Sequence, residues 1–150
     1  MEGLQMVAFL ALFLVTSTVL AINNDPEFAK RKLDYKRKCA KVLSTPKEDF
    51  KKYLRSQYSD DHDSFCFFRC VMIMDGSYDD EAGPIFDKMF GYIGDGMSRE
   101  EFQTYYGSCW NEGNELHGGR TEPCICWKAY RKHQCLYQKF LDRQMAKGGN

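Results

Sequence analysis

Seven cysteines, Cys39, Cys66, Cys70, Cys109, Cys124, Cys126 and Cys135, constrain this chain more than any other feature of its sequence. Cys66 and Cys70 stand with three residues between them, and Cys126 and Cys135 with eight. A three-residue gap puts two side chains on one face of a helix, one above the other. Two other segments can then be tied to that face. In an oxidising compartment this density of cysteine reads as a disulfide framework. The count is odd, so one thiol is left over. A zinc site would use similar pairs, but it needs reduced thiolates, which secreted proteins seldom keep. A redox Cys-x-x-Cys pair is absent, and no metal or cofactor is expected.

The compartment follows from the start of the chain. An apolar run, Val7 to Val15 (VAFLALFLV), is followed by small and polar residues, with Val19 and Ala21 at the −3 and −1 positions of a cleavage site. That is the layout of a secretory signal peptide. The n-region departs from it, carrying Glu2 and no Lys or Arg. The apolar run is shorter than the ~20 residues a membrane-spanning helix needs. The expectation is a signal peptide over 1–21, a single domain over 22–150, and a secreted, extracellular protein with no membrane span. Cleavage removes Glu2 and moves the formal charge from 0 to +1. Such a balance gives no global field for nucleic acid.

Almost every segment has helical periodicity. Phe28, Tyr35, Cys39 and Val42 recur at helical spacing and predict a first helix from Pro26 to Leu43. Thr45-Pro46-Lys47-Glu48 reads as a capping box with Pro at the first helical position. Asp63 or Ser64 can cap a third helix, Phe65 to Met74, which is apolar nearly all round and so is expected to be central. Pro84 opens a fourth helix through Ile93. Ser98 to Glu101 is a second capping box, with Met97 and Phe102 at its staple positions. After a polar loop, Asn111 to Gly119, Thr121 and Pro123 open a final helical region, and the tail from Lys147 should fray. No stretch alternates with period two. The fold expected is all-α: a compact bundle of six or seven short helices cross-linked by three disulfides.

With Cys39 standing 27 positions before Cys66 and Cys109 standing 39 after Cys70, the arrangement resembles the insect odorant-binding protein superfamily from Cys39 to Cys135. That family has six cysteines, three residues between the second and third and eight between the fifth and sixth. The resemblance implies the pairs Cys39–Cys70, Cys66–Cys126 and Cys109–Cys135, leaving Cys124 unpaired. Cys124 departs from the family pattern, and either it or Cys126 remains a partner for Cys66. A narrower resemblance lies in FKKYLRSQYSDDHDSFCFFRCVMIMDGSYDDEAGPIFDKM and WKAY, which look like parts of the salivary D-seven family of blood-feeding flies. Its members sequester host mediators such as biogenic amines or eicosanoids. The resemblance therefore implies a scavenger that counters haemostasis and inflammation, with an antennal odorant or pheromone carrier as the alternative.

A stapled helical shell rich in rings can enclose an apolar site with a few placed polar groups. Candidate lining residues are Phe67, Phe68, Met72, Met89 and Phe90, together with Tyr106, Trp110, Trp127 and Tyr130. Each also suits an ordinary core. Arg69, Arg131 and His133 are candidate polar contacts; a cation among them suits a carboxylate-bearing lipid. The acidic residues Asp60, Asp61, Asp63, Asp75, Asp79, Asp80 and Glu81 would instead suit an amine. His133 is a candidate pH switch, since an unperturbed imidazole titrates near ~6.5.

A second function class rests on the basic first helix. Lys30, Arg31, Lys32, Lys36, Arg37, Lys38 and Lys41 offer a surface for a polyanion, as an anticoagulant would use, or an ordinary solvated face. Catalysis is not expected: the three histidines lie on separate segments, and no Gly-x-Ser-x-Gly, His-Glu-x-x-His or phosphate loop is present. The acidic run from Asp75 to Glu81 also fails the spacing of a calcium loop. The partner expected is a small hydrophobic or amphipathic ligand. A monomer is expected, with a disulfide-linked dimer through the odd cysteine as the alternative.

Overall fold

In a computed structural model of the chain, the structure describes residues 26–115 and 124–148. The signal segment 1–21, His117, Thr121, Pro123 and the last two residues lie outside them. Among the described residues there are six α-helices: α1 (Pro26–Val42), α2 (Lys47–Leu54), α3 (His62–Met74), α4 (Phe86–Ile93), α5 (Arg99–Tyr106) and α6 (Ile125–Gly148). A 3-10 turn, Gly107–Asn111, continues α5. The all-α reading holds, with one addition. Tyr78–Asp79 (β1) and Gly83–Pro84 (β2) form a two-residue antiparallel ladder.

The chain divides within α1. In the stretch to Asp34, the Lys32 ammonium lies 5.3 Å from the Phe28 ring. From Tyr35 onward, α1 buries Cys39 completely. Lys36 is drawn to the C-terminus of α2, where its Nζ donates to the Tyr53 carbonyl at 2.6 Å and to Ser56 Oγ at 3.3 Å. A cation there meets the negative end of the helix dipole. Lys36 thus has a structural task among the seven basic candidates.

Three helix starts differ from the sequence reading. Pro46, not Thr45, is the N-cap of α2, and no side chain caps it. The register is one residue later than the box needs, which puts Glu48 at the second helical position. The N-cap of α3 is Asp61, whose carboxylate accepts from the Ser64 N–H at 2.8 Å. Ser64 is unable to serve because its hydroxyl faces Tyr53 Oη at 3.0 Å and accepts from the Ser59 N–H at 3.2 Å. Pro84 does not open α4: it belongs to the ladder, which the Ile85 N–H extends by donating to the Ser77 carbonyl at 2.9 Å. The Asp79 carboxylate closes the turn between the strands by accepting from the Glu81 and Ala82 N–H groups, which lowers its pKa. The Ser98 box forms as read, with both reciprocal bonds present.

α3 and α6 make the most extensive helix pairing among the described residues. α3 is less enclosed than its composition suggests, because Ile73 and Met74 remain exposed. Three disulfides connect the elements: Cys39–Cys70 joins α1 to α3, Cys66–Cys126 joins α3 to α6, and Cys109–Cys135 joins the 3-10 turn to α6. Their sequence separations, 31, 60 and 26 residues, correspond to about 3–4 kcal/mol each from the restricted unfolded chain. Eight-residue helices such as α2, α4 and α5 need that help, since they are marginal alone. Gly113, at φ +76°, sets the approach of the following turn to α6: a Cβ there would meet Lys128 Cα at 2.6 Å.

The buried residues fall into three clusters. One gathers Met89, Phe102, Tyr106, Cys109 and Leu136, under α4, α5 and α6. A second gathers Cys39, Tyr53, Phe67 and Val71. The third is Met72, Tyr78 and Ala129, with Phe68 against it.

Candidate ligand-binding site

The candidate rings do not meet at one place. They divide into two arrays. The first runs along α3 and the N-terminal half of α6. Phe67 is fully buried, its centroid 4.4 Å from that of Tyr53. Phe68, half-buried on the next position of α3, meets Tyr58 at 5.3 Å, Tyr130 at 5.7 Å and His133 at 4.6 Å. Phe65, absent from the sequence candidates, is the centre of this array. It is buried between Trp127 at 5.2 Å and Tyr130 at 4.6 Å. Its position one turn before Arg69 on an apolar helix was the available signal.

The second array runs under α4 and α5. Phe86, Phe90, Phe102 and Tyr106 contact one another in sequence, and Trp110 closes on Phe86 at 6.3 Å. The Trp110 indole N–H donates to the Pro84 carbonyl at 2.9 Å, so the short ladder fixes the ring. The Arg99 guanidinium covers Phe86 and Phe90 from outside, at 5.0 and 5.5 Å. Met89 belongs to this cluster and Met72 to the one beside β1.

The polar candidates are largely committed. Arg69 forms a two-pronged pair with Asp80. Arg131 stacks 5.5 Å over Trp127 and pairs with Glu112 at 3.3 Å and Glu115 at 3.2 Å. Among the acids, Asp61 caps α3, Asp79 closes the β-turn, Asp80 holds Arg69, and Asp75 accepts from Tyr92 Oη at 3.0 Å.

One polar pair inside the second array is different. Tyr106 is wholly buried, and beyond each other neither its Oη nor Arg143 Nη1 has a hydrogen-bond partner among the described residues. Burial raises the Tyr106 pKa, and the neighbouring Arg143 guanidinium opposes that rise through its charge and a hydrogen bond. Arg143 Nη2 donates to the Asp95 carbonyl, which holds the side chain against the α4–α5 turn. Buried polar atoms are nearly always fully paired, so two adjacent donors with no partner beyond each other are informative. Both can donate to a single acceptor group.

Residues 22–139 match the PBP/GOBP family. The chain belongs to the PBP/GOBP family of insect odorant-binding proteins. It is 23% identical over 135 residues to Odorant-binding protein 22 of Aedes aegypti, covering 90% of each chain. Its fold is similar to the crystal structure of the Anopheles gambiae Odorant-binding Protein 22a, with a TM-score of 0.57 at 24% identity, over 71% of this chain and 97% of that one. No helix of the described residues is long and apolar enough to cross a membrane. A PBP/GOBP chain is a small-ligand-binding protein, and the apolar, ring-lined clusters suit that role.

Within this PBP/GOBP chain, sequence reasoning named Tyr106 and missed Arg143. The signal was present. Leu136, Phe140 and Arg143 stand four and three residues apart on α6, and Leu136 is buried. That spacing places Arg143 on the core-facing side of the helix.

Proposed function

We propose that this protein sequesters a small amphipathic ligand outside cells, with the ligand's apolar body against the aromatic array of α4 and α5 and an acceptor head group, a carboxylate, at Tyr106 and Arg143. The observation that carries this reading is the pair of buried donors, Tyr106 Oη and Arg143 Nη1, left with no partner beyond each other at an otherwise apolar cluster. A carboxylate accepting from both would satisfy them, and charge-assisted bonds of this kind are the strong ones. Among host mediators, the donors favour an eicosanoid over a biogenic amine, because Asp61, Asp75, Asp79 and Asp80 are spent on a cap, a turn and side-chain pairs. The salivary resemblance of residues 50–89 makes a scavenger the first reading. An antennal carrier of an odorant acid fits the same pair.

Calorimetric titration of the mature protein tests the proposal. The panel is a cysteinyl leukotriene, a thromboxane analogue, a long-chain fatty acid, the matching alcohol, serotonin and histamine. Tight one-to-one binding of the carboxylates, with the alcohol about tenfold weaker, supports it. Tight binding of an amine, or equal binding of acid and alcohol, overturns it. Binding of the fatty acid without the mediators moves the role to the carrier.

A further inference from the structure

One corner of the fold carries a large excess of positive charge. Between Lys36 and Arg55 stand eight Lys or Arg and two Asp or Glu, in a chain whose formal charge is zero. These residues make the second half of α1, the bend after it, and α2. Both helices turn their apolar side chains to one cluster: Tyr35, Cys39 and Ala40 pack with Phe50 and Tyr53 beside Phe67 and Val71 of α3. The basic side chains are left outside. Arg37, Lys38 and Lys41 on α1 are exposed, and so are Lys47, Lys51 and Arg55 along α2 and at its end. Arg37 and Lys41 stand four residues apart, as do Lys47, Lys51 and Arg55, so each set forms a row along its helix. Lys51 and Lys52 reach Glu48 and Asp49 one turn earlier, each at 2.8 Å. Pairs between exposed side chains are worth little in water and are readily exchanged. Arg37, Lys41, Lys47 and Arg55 enter no ion pair with another described residue.

Two apolar side chains stand at the bend between these rows. Val42 is 74% exposed and Leu43 41%. They end α1, which is closed by the Leu43 N–H donating to the Cys39 carbonyl and the Thr45 N–H to the Ala40 carbonyl, both at 2.9 Å. Ser44 then reverses the chain in the left-handed region, at φ 51°. Cys39, just before the bend, is bonded to Cys70 of α3, so the bend is held to the core. A single apolar side chain on a surface needs no explanation. Two adjacent ones, with Lys38 and Lys41 before them and Lys47 after, make an apolar tip in a basic setting.

We propose that this corner docks on a membrane surface that carries anionic phospholipid, with the basic rows among the head groups and Val42 and Leu43 entering the acyl boundary. Charge complementarity selects the partner, because each Lys or Arg near an anionic leaflet adds to the attraction. The apolar tip selects lipid over other polyanions, because side chains at the head-group boundary are withdrawn from water. A sulfated polysaccharide would meet the same charges and leave Val42 and Leu43 in solvent. The corner is built from other elements than Tyr106 and Arg143, so it stands independently of the ligand reading.

The test is co-sedimentation of the full mature protein, without added small ligand, with vesicles of phosphatidylcholine alone or mixed with phosphatidylserine. Binding is expected to the mixed vesicles and is expected to weaken as salt screens the charges. Lys41→Gln and Lys47→Gln each lower the partition coefficient about fivefold, the equivalent of one charge at an anionic surface. Val42→Ser combined with Leu43→Ser lowers it by at least about tenfold. Lys88→Gln, at an exposed position of α4, leaves it nearly unchanged. No binding to either vesicle, equal binding to both, or retention on immobilised heparin without vesicle binding would each overturn the proposal. So would a Val42 and Leu43 double variant that binds as the parent does, or a loss in Lys88→Gln equal to that in Lys41→Gln.

Discussion

Tyr53 Oη and Ser64 Oγ lie 3.0 Å apart, with Ser64 fully closed off from solvent and Tyr53 only 3% exposed. The same serine oxygen accepts from the Ser59 N–H. One hydroxyl therefore joins α2, the α2–α3 loop and the first turn of α3. Ser64→Ala leaves the tyrosine hydroxyl and an amide without partners, at an expected cost of about 1–3 kcal/mol. A denaturant midpoint measured with the disulfides intact checks this, and an unchanged midpoint counts against the joint.

Tyr106→Phe separates binding from folding. The hydroxyl it removes has no internal partner beyond the Arg143 guanidinium, so the unfolding midpoint is expected to change little. Affinity for a carboxylate ligand is expected to fall about tenfold, or about 1.4 kcal/mol, while a neutral alcohol binds as before. Calorimetry on both ligands decides it. Equal losses for acid and alcohol would mean that the ring and not the hydroxyl matters.

Gly113→Ala should be among the more damaging small substitutions. The backbone there is left-handed, and a Cβ would press on the Lys128 backbone at 2.6 Å. Strain and the displacement of α6 together are expected to cost about 2–4 kcal/mol, read as a drop in thermal or denaturant midpoint. Retention of wild-type stability would show that this approach of turn to helix is not fixed.

Alkaline titration should reveal late tyrosines, Tyr58 and Tyr78 among them. Burial pushes Tyr58 and Tyr78 up to about 12 from the ordinary 10. Their folded pKa values are raised, so the folded state holds the protons more strongly. The stability this brings is complete below pH 10 and is lost as pH rises toward 12. Phenolate absorbance and denaturation midpoints across that window check the expectation together. Tyr58→Phe and Tyr78→Phe should each remove part of the late absorbance change.

The helical character of the chain and the presence of three staples were open to reading because they rest on local spacing. Helix starts were not, where two caps compete. Asp60, Asp61, Asp63 and Ser64 all have good capping side chains, and only the tertiary claim of Tyr53 on the Ser64 hydroxyl removes Ser64 from the contest. Pro84 reads as a helix opener until Asp79 closes a turn and turns Gly83–Pro84 into a strand. The site was legible as a set of rings, but helical spacing cannot say that Phe68 and Phe90 fall in separate arrays. Arg143 escaped notice because it lies among polar residues, Asp142 and Gln144, beyond the last cysteine. Its inward direction shows only when Leu136 is known to be buried.

The order of the staples has a consequence for survival in fluids that contain proteases. Cys39–Cys70, Cys66–Cys126 and Cys109–Cys135 overlap along the sequence, each closing its loop only after the next has opened. A single cut at any peptide bond between Cys39 and Cys135 is therefore always spanned by at least one of them. The two pieces stay covalently one molecule, and nicking alone does not release half of the binding surface.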